Sequence, residues 1–280
     1  MQIAKQYTGK GIGVAVLDTG IIPHVDFDHR IQYFQDFIQN RKQPYDDNGH
    51  GTHVSGIIAG SGKASDGRCV GVAPQAHLIS LKVLDGMGNG RQQHTLQALQ
   101  WILDNYEKYQ IRIVNISVGS IEKETEQYGQ LIKIVENVWD EGLVVVTAAG
   151  NGGPRPGSIT APGSSRKVIT VGSSDMLHQY RRSSGHGPTD ECVCKPDIVY
   201  KGYHILSCKA SPDRKSYIRK SGTSMSTPWI SGAIALALEK DPMLSNFEIK
   251  MMLRSCAKDL GLPHNQQGWG EFDLEKFLDF

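Results

Sequence analysis

Four residues of this 280-residue sequence stand where chemistry is usually done, each next to glycine or at the end of an apolar run. Asp18 ends "VAVLD", His50 opens "HGTHVSG", Asn151 follows "VVVTAAG", and Ser224 lies within "SGTSMSTP". A serine hydroxyl is a weak nucleophile at neutral pH and needs a base, and the base in turn needs an orienting group. An amide N–H can receive charge that appears only during reaction. The four residues are of the types such chemistry uses, but each has a plainer reading when taken alone. Asp18 and Asn151 suit turns, Ser224 suits a helix N-cap, and a lone histidine such as His50 is more often structural. His50 and His53 are three apart with no glutamate between them, which departs from the i, i+4 histidine pair of a helical zinc site. Cys192 and Cys194 form C-x-C without a second Cys/His pair close by, so free thiols are expected there. Arg181 and Arg182 read as a solvated charge pair.

Groups so far apart in sequence meet only if rigid elements bring them together. Apolar runs rich in Val and Ile at 12–18, 76–84, 111–119, 143–150 and 168–173 predict buried strands. Helical spacing at about 92–109 and 126–141 alternates with them. The expected fold class is α/β, a three-layer arrangement of a mostly parallel twisted sheet with helices on both faces. Ligands of such sheets bind beyond the carboxyl ends of the strands, where Asp18 and Asn151 fall. Ser224 precedes a run that is apolar all round, a buried helix in which Pro228 is tolerable only in the first turn. The N–H groups and dipole at that helix start favour negative charge. The tail at 268–280 reads as a turn and a short closing helix. With no internal repeat, low-complexity segment or long linker, a single domain over 1–280 is expected, with no prosegment or C-terminal extension evident.

Thirty Lys and Arg balance 29 Asp and Glu, giving a net charge of +1 and no footprint for nucleic acid. No apolar run is long enough for a membrane span and the first ten residues lack a signal-peptide core, so no membrane partner is expected. Five cysteines are an odd and sparse set for a disulfide scaffold. They favour a reducing, cytoplasmic compartment, or a secreted one if a leader or prosegment has been removed. Nothing in the sequence speaks to oligomeric state.

Together, "VLDTG", "HGTHVSG", "AAGN" and "SGTSMSTP", in the chain order Asp, His, Ser, resemble the subtilisin-like serine proteases. The similarity extends through "GVAP" (71–74), "ISLKVLDGMGNG" (79–90), "NISVG" (115–119), "APG" (161–163), "VITVG" (168–172) and "KPDIV" (195–199). The resemblance implies a serine endopeptidase in which Ser224 is the nucleophile, His50 the general base and Asp18 the residue that orients it. It further implies an oxyanion hole of Asn151 with the Ser224 N–H, and a His53 that only packs. An extended polypeptide substrate would lie between Gly88, Asn89, Gly90 and Ser117, Val118, Gly119 as an added strand. The first specificity pocket falls among Ser117–Gly119, Ala148, Ala149, Gly150 and 158–162. These segments are uncharged and predict broad cleavage after apolar residues, with Thr160 limiting depth and Arg155 and Arg166 able to alter the choice. A dedicated peptide-processing protease and a transpeptidase or macrocyclase use the same triad, and a silent binding protein is the remaining alternative.

No cofactor is required for this chemistry. A structural calcium is compatible with the family but has no clear motif here. The loop at 60–69, where secreted relatives carry a calcium loop, brings only Asp66 against Lys63 and Arg68. Asp26, Asp28 or the 173–198 region would have to serve instead. Within 181–202 the sequence carries an extra residue near Gly185–His186, and Tyr200–Lys201 replace a commoner Ala-Pro.

Overall fold

The computed structural model describes residues 6–119, 126–177 and 183–280. Arg181 and Arg182 lie outside the described residues. The five predicted strands form as β1 (Gly13–Asp18), β3 (His77–Lys82), β4 (Ile111–Ile116), β5 (Val144–Ala148) and β6 (Ile169–Ser173). Two further strands, β2 (Ile31–Asp36) and β7 (Ile198–Tyr200), complete one sheet in the order β2-β3-β1-β4-β5-β6-β7. All neighbours in it run parallel. The added strands are its two edges: β2 has mixed burial, which weakens the apolar signal that marks a central strand, and β7 is only three residues long.

Helix α1 (His50–Ala59) packs with α4 (Thr223–Lys240), while α2 (Gln92–Asn105) packs with α3 (Glu126–Asp140). Helix α4 also contacts β4, β5 and β6, and α2 and α3 contact β1 and β5, so helices cover the sheet in two layers. The core is the sheet itself, with residues such as Leu17, Leu81, Ile113, Val145 and Val171 fully buried. A small antiparallel hairpin of β8 (Ile205–Cys208) and β9 (Tyr217–Lys220), not foreseen from sequence, lies against α1. After α4 the chain adds α5 (Asn246–Cys256), α6 (His264–Gln267) and the closing α7 (Leu274–Leu278). Among the described residues no helix is long and apolar enough to cross a membrane.

Two local expectations are corrected. Ser224 is not a helix N-cap: Gly222 takes that position, and Ser224 is the second residue of α4. Pro228 is therefore the sixth residue, in the second turn rather than the first. It has no N–H to donate to the Ser224 carbonyl, and the burial of α4 on all sides keeps the helix intact across that missing bond.

Candidate active site

Strand order makes the site. β1 lies between β3 and β4, so the loops leaving β3 and β4 diverge on either side of its carboxyl end. Asp18 is the last residue of β1 and only 1% exposed. Its turn needs Gly20, whose φ is +112° and where a Cβ would collide with the Tyr45 carbonyl. Gly51 fits under the same turn, because a Cβ there would meet the Gly20 carbonyl. These two bare backbones let α1 start directly over Asp18. His50 Nδ1 then lies 2.7 and 2.9 Å from the two Asp18 oxygens. The Thr19 N–H donates to Asp18 Oδ1 at 2.7 Å and fixes the carboxylate. With Nδ1–H donating to Asp18, the neutral ring carries its lone pair on Nε2. Burial opposes the imidazolium, but the Asp18 charge and hydrogen bond outweigh it, helped by Asp46, and hold His50 above its ordinary pKa. Lys220 pulls in the opposite direction.

His53, one turn along α1, is fully buried. Its Nε2 donates to the carbonyls of Ile205 and Ile218 at 3.0 and 3.1 Å, and burial lowers its pKa to about 4. It is a neutral strut that pins β8 and β9 to α1.

Ser224 is half-buried in the first turn of α4, and its hydroxyl donates to the Ser117 carbonyl at 2.9 Å rather than to His50. Its own N–H has no hydrogen-bond partner among the described residues. Asn151 stands beside it: Thr223 N–H and Thr223 Oγ1 both donate to Asn151 Oδ1, at 3.0 and 3.3 Å. This fixes the amide with Nδ2 outward, near Gly222, where a Cβ would stand 3.3 Å from that nitrogen. Two donors, Asn151 Nδ2 and the Ser224 N–H, are thus left unused at the start of a helix, where partial positive charge collects.

A cleft of about 900 Å³ opens beside His50 between the predicted walls, Gly88–Gly90 and Ser117–Gly119, and reaches Ala161 and Pro162. Asp85 Oδ1 stiffens the first wall by accepting from Met87 and Asn89 N–H, both at 2.9 Å. The cleft lining does not include Ala148, Ala149, Gly150 or Thr160. Ala149 is fully buried, its N–H bonded to Val171 and its carbonyl to Thr160. The Thr160 side chain fills the space between two opposed glycines: a Cβ on Gly119 would collide with its Oγ1, and one on Gly150 would lie 2.7 Å from its Cγ2. Arg166 is drawn to Glu191, 3.5 Å away, and Arg155 is exposed.

Several positioning residues escape sequence reasoning. Asp46, 9% exposed, accepts from Thr19 Oγ1, Asn48 N, Gly49 N, Thr52 N and Thr52 Oγ1 at 2.7–3.2 Å. It caps α1 from outside, because the cap residue Gly49 has no side chain to do so. Thr19 Oγ1 in turn accepts the Gly51 N–H at 2.9 Å, which locks the Asp18 turn to the His50 helix. Lys82, 1% exposed, donates to Thr19 O, Leu84 O and Asp47 Oδ1 at 2.6–2.8 Å. Asn115 links β4 to α4 by donating to Ser117 Oγ and accepting from Ser231 Oγ, each at 2.9 Å. A carboxylate four residues before His50 was the one available signal; the others depend on partners distant in sequence.

His24, Asp26 and Cys208 form a buried cluster whose ligand-type atoms lie within 4.8 Å of one another. Asp26 already accepts from Tyr217 OH at 2.7 Å, Ala64 N at 2.9 Å and Cys208 Sγ at 3.7 Å. His24 accepts from Asp26 N and donates to Ser216 O, both at 3.1 Å. Hydrogen-bond donors surround the carboxylate where a hard cation requires oxygen acceptors, so this set does not fit calcium. The other candidate carboxylates are also engaged: Asp28 by Lys63, Asp175 by Ser173, Gly202 and Tyr203, and Asp197 by Lys195 and Lys250. Asp66 is exposed. All five cysteines are free thiols, Cys192 and Cys194 exposed among them.

Comparison with known proteins gives the family of the chain. The model of the subtilase family matches residues 9–270. Serine protease AprX of Bacillus subtilis (strain 168) is 40% identical over 272 residues, covering 89% of this chain and 61% of that protein. Subtilisin Savinase of Lederbergia lenta is 35% identical over 254 residues, covering 91% and 86%. The crystal structure of a cold adapted subtilisin-like serine proteinase superposes with a TM-score of 0.77 at 27% identity, covering 95% of this chain and 88% of that one.

Proposed function

The chain belongs to the subtilase family of subtilisin-like serine endopeptidases, and on that premise we propose that it hydrolyses peptide bonds with Ser224, His50 and Asp18. The observation that carries this reading is the 2.7 Å contact between His50 Nδ1 and the buried Asp18 at the start of α1, a helix that packs against α4, whose first turn carries Ser224. An extended substrate enters between Gly88–Gly90 and Ser117–Gly119 as an added strand. The Ser224 hydroxyl turns from the Ser117 carbonyl toward His50 Nε2, a rearrangement common between free and substrate-bound sites. Ser224 Oγ attacks the scissile carbonyl as His50 Nε2 takes its proton, and Asp18 stabilises the imidazolium. The new oxyanion accepts from Asn151 Nδ2 and the Ser224 N–H. His50 then protonates the leaving amine, and water resolves the acyl-enzyme by the same route in reverse.

The residue before the cut is uncharged in this reading. The segments assigned to its pocket, Ser117–Gly119, Ala148–Gly150 and Ser158–Pro162, carry no ionic group, Arg91 of the cleft belonging to none of them, and burying an unpaired charge costs several kcal/mol. In this reading Thr160, which is wedged between Gly119 and Gly150 and does not line the open cleft, limits the depth of that pocket. The test is mass spectrometry of products from a peptide library containing every residue type before the scissile bond, with wild type and Ser224→Ala in parallel. Serine-dependent cleavage that adds one water per cut and falls after uncharged residues is expected. Products joined without water, or a dominant preference for Asp, Glu, Arg or Lys, would overturn it.

A further inference from the structure

The chain is nearly neutral, but its charge is not spread evenly. Between Ile198 and Gly222 lie six cations, Lys201, Lys209, Arg214, Lys215, Arg219 and Lys220, against the single carboxylate Asp213. Asp213 is held by the Ser211 and Ser216 hydroxyls, and none of the six cations forms an ion pair among the described residues. This segment contains the β8–β9 hairpin, which is fixed against the catalytic helix at two points. Ala210, in its turn, lies where a Cβ on Gly49 would be 3.3 Å away, and Ile205 and Ile218 hold His53. Lys220 ends β9, opposite Ile205, four residues before Ser224. The cleft beside His50 is lined by no residue of 198–222. The hairpin therefore borders His50 from outside the cleft. On the peptidase reading the cleft holds the part of the substrate before the cut, and the hairpin, next to His50 but outside that cleft, is the surface left for the part after it.

We infer that the β8–β9 hairpin binds the segment that follows the scissile bond and favours acidic side chains there, first of all beside Lys220. The inference rests on the peptidase reading above and adds a substrate class to it, polypeptides with an acidic stretch just after the cut. Unpaired surface cations attract such a stretch over roughly a Debye length, about 10 Å at 0.1 M salt, so the preference is strongest at low ionic strength. Lys220 also acts on His50. Asp18 from β1 and Asp46 from the preceding loop raise the imidazole pKa, whereas burial and Lys220 lower it.

The test compares two peptides identical up to the scissile bond, followed by Ala-Ala-Ala or by Glu-Asp-Glu. kcat/KM is measured at low and high salt for wild type and for Lys209→Gln/Arg219→Gln/Lys220→Gln. The acidic peptide is expected to be favoured about fivefold or more at low salt, with the ratio falling toward one at high salt and in the variant. The single variant Lys220→Gln is expected to move the acid limb of the pH profile upward, because removing a cation favours imidazolium. A wild-type ratio at or below one at low salt overturns the inference while leaving the peptidase reading intact, since the neutral peptide is still cut. A ratio that survives neutralisation assigns the preference elsewhere and overturns it as well. Failure to cut either peptide overturns both. If the triple variant does not fold, Lys220→Gln is measured on the same two peptides, and a low-salt ratio unchanged from wild type overturns the inference.

Discussion

Replacing Asp46 by Asn changes one oxygen to an amide at the point where the Asp18 turn and the His50 helix are joined. The side-chain carbonyl can take the Oδ1 position and keep Thr19 Oγ1, Asn48 N and Gly49 N as donors. The new NH₂ then faces Thr52 Oγ1 and Thr52 N at 2.7 and 2.8 Å. The hydroxyl can rotate to accept, but the backbone N–H cannot, so one buried donor meets another. An unsatisfied buried donor costs about 1–3 kcal/mol, and the three remaining bonds lose their charge assistance, which brings the total to roughly 2–5 kcal/mol. A domain of this size loses about 2–4 °C per kcal/mol, so a Tm drop of roughly 5–15 °C is expected by calorimetry at neutral pH. Burial alone would raise the Asp46 pKa, but bonds from Gly49, Thr52 and Thr19 outweigh it and lower the value below 3.8. A depressed carboxylate stabilises above its unfolded pKa and loses that contribution as pH falls through the folded value. The advantage of wild type over the Asn variant should therefore be full above about pH 5 and shrink toward acid. Removing the anion also lowers the His50 pKa, so the acid limb of kcat/KM should move to lower pH. An unchanged Tm together with an unchanged acid limb would refute the capping role.

Other outcomes follow from the same geometry. Ser224→Ala or His50→Ala should each remove nearly all turnover in peptide hydrolysis with circular dichroism unchanged; the loss of about 10⁶ in kcat is the value known for a subtilisin and is taken over from it. Asn151→Ala should lower kcat by about 10²–10³, again a subtilisin's value, with little change in KM, because its donor is used only once the oxyanion forms. Thr160→Gly should deepen the pocket between Gly119 and Gly150 and raise kcat/KM for Phe or Tyr over Ala before the cut by about tenfold, within the 1–3 kcal/mol available to an apolar pocket. Initial rates on three matched peptides would reveal an unchanged ratio and so exclude Thr160 as the pocket floor.

What the sequence makes legible follows from how local the determinant is. β1 and β3 to β6 announce themselves because strands buried on both faces need continuous apolar runs. β2, with its mixed burial, β7, with three residues, and the exposed β9 carry no such run. The four chemical residues are visible because each sits in a compact glycine-rich motif. The cap on α1 is not, because Asp46 works through Thr19, 27 residues away, as well as through its neighbours. Thr160 can be suspected from its place near "APG", but its wedging between Gly119 and Gly150 appears only once three loops meet. The N-cap reading of Ser224 fails for a related reason. Gly222, at a φ of +143°, takes the turn that starts the helix and leaves the serine as the second helical residue, relieved of the capping role.

Whether His50 activates Ser224 is tested most directly by reaction with a fluorophosphonate, followed by intact-mass analysis, peptide mapping and labelling rates across pH in wild type and His50→Ala. The account predicts a single adduct on Ser224 and a rate that rises along one histidine limb displaced upward from the ordinary histidine value, with near-complete loss in His50→Ala. An adduct on another residue, or a rate indifferent to pH and to His50, would contradict it.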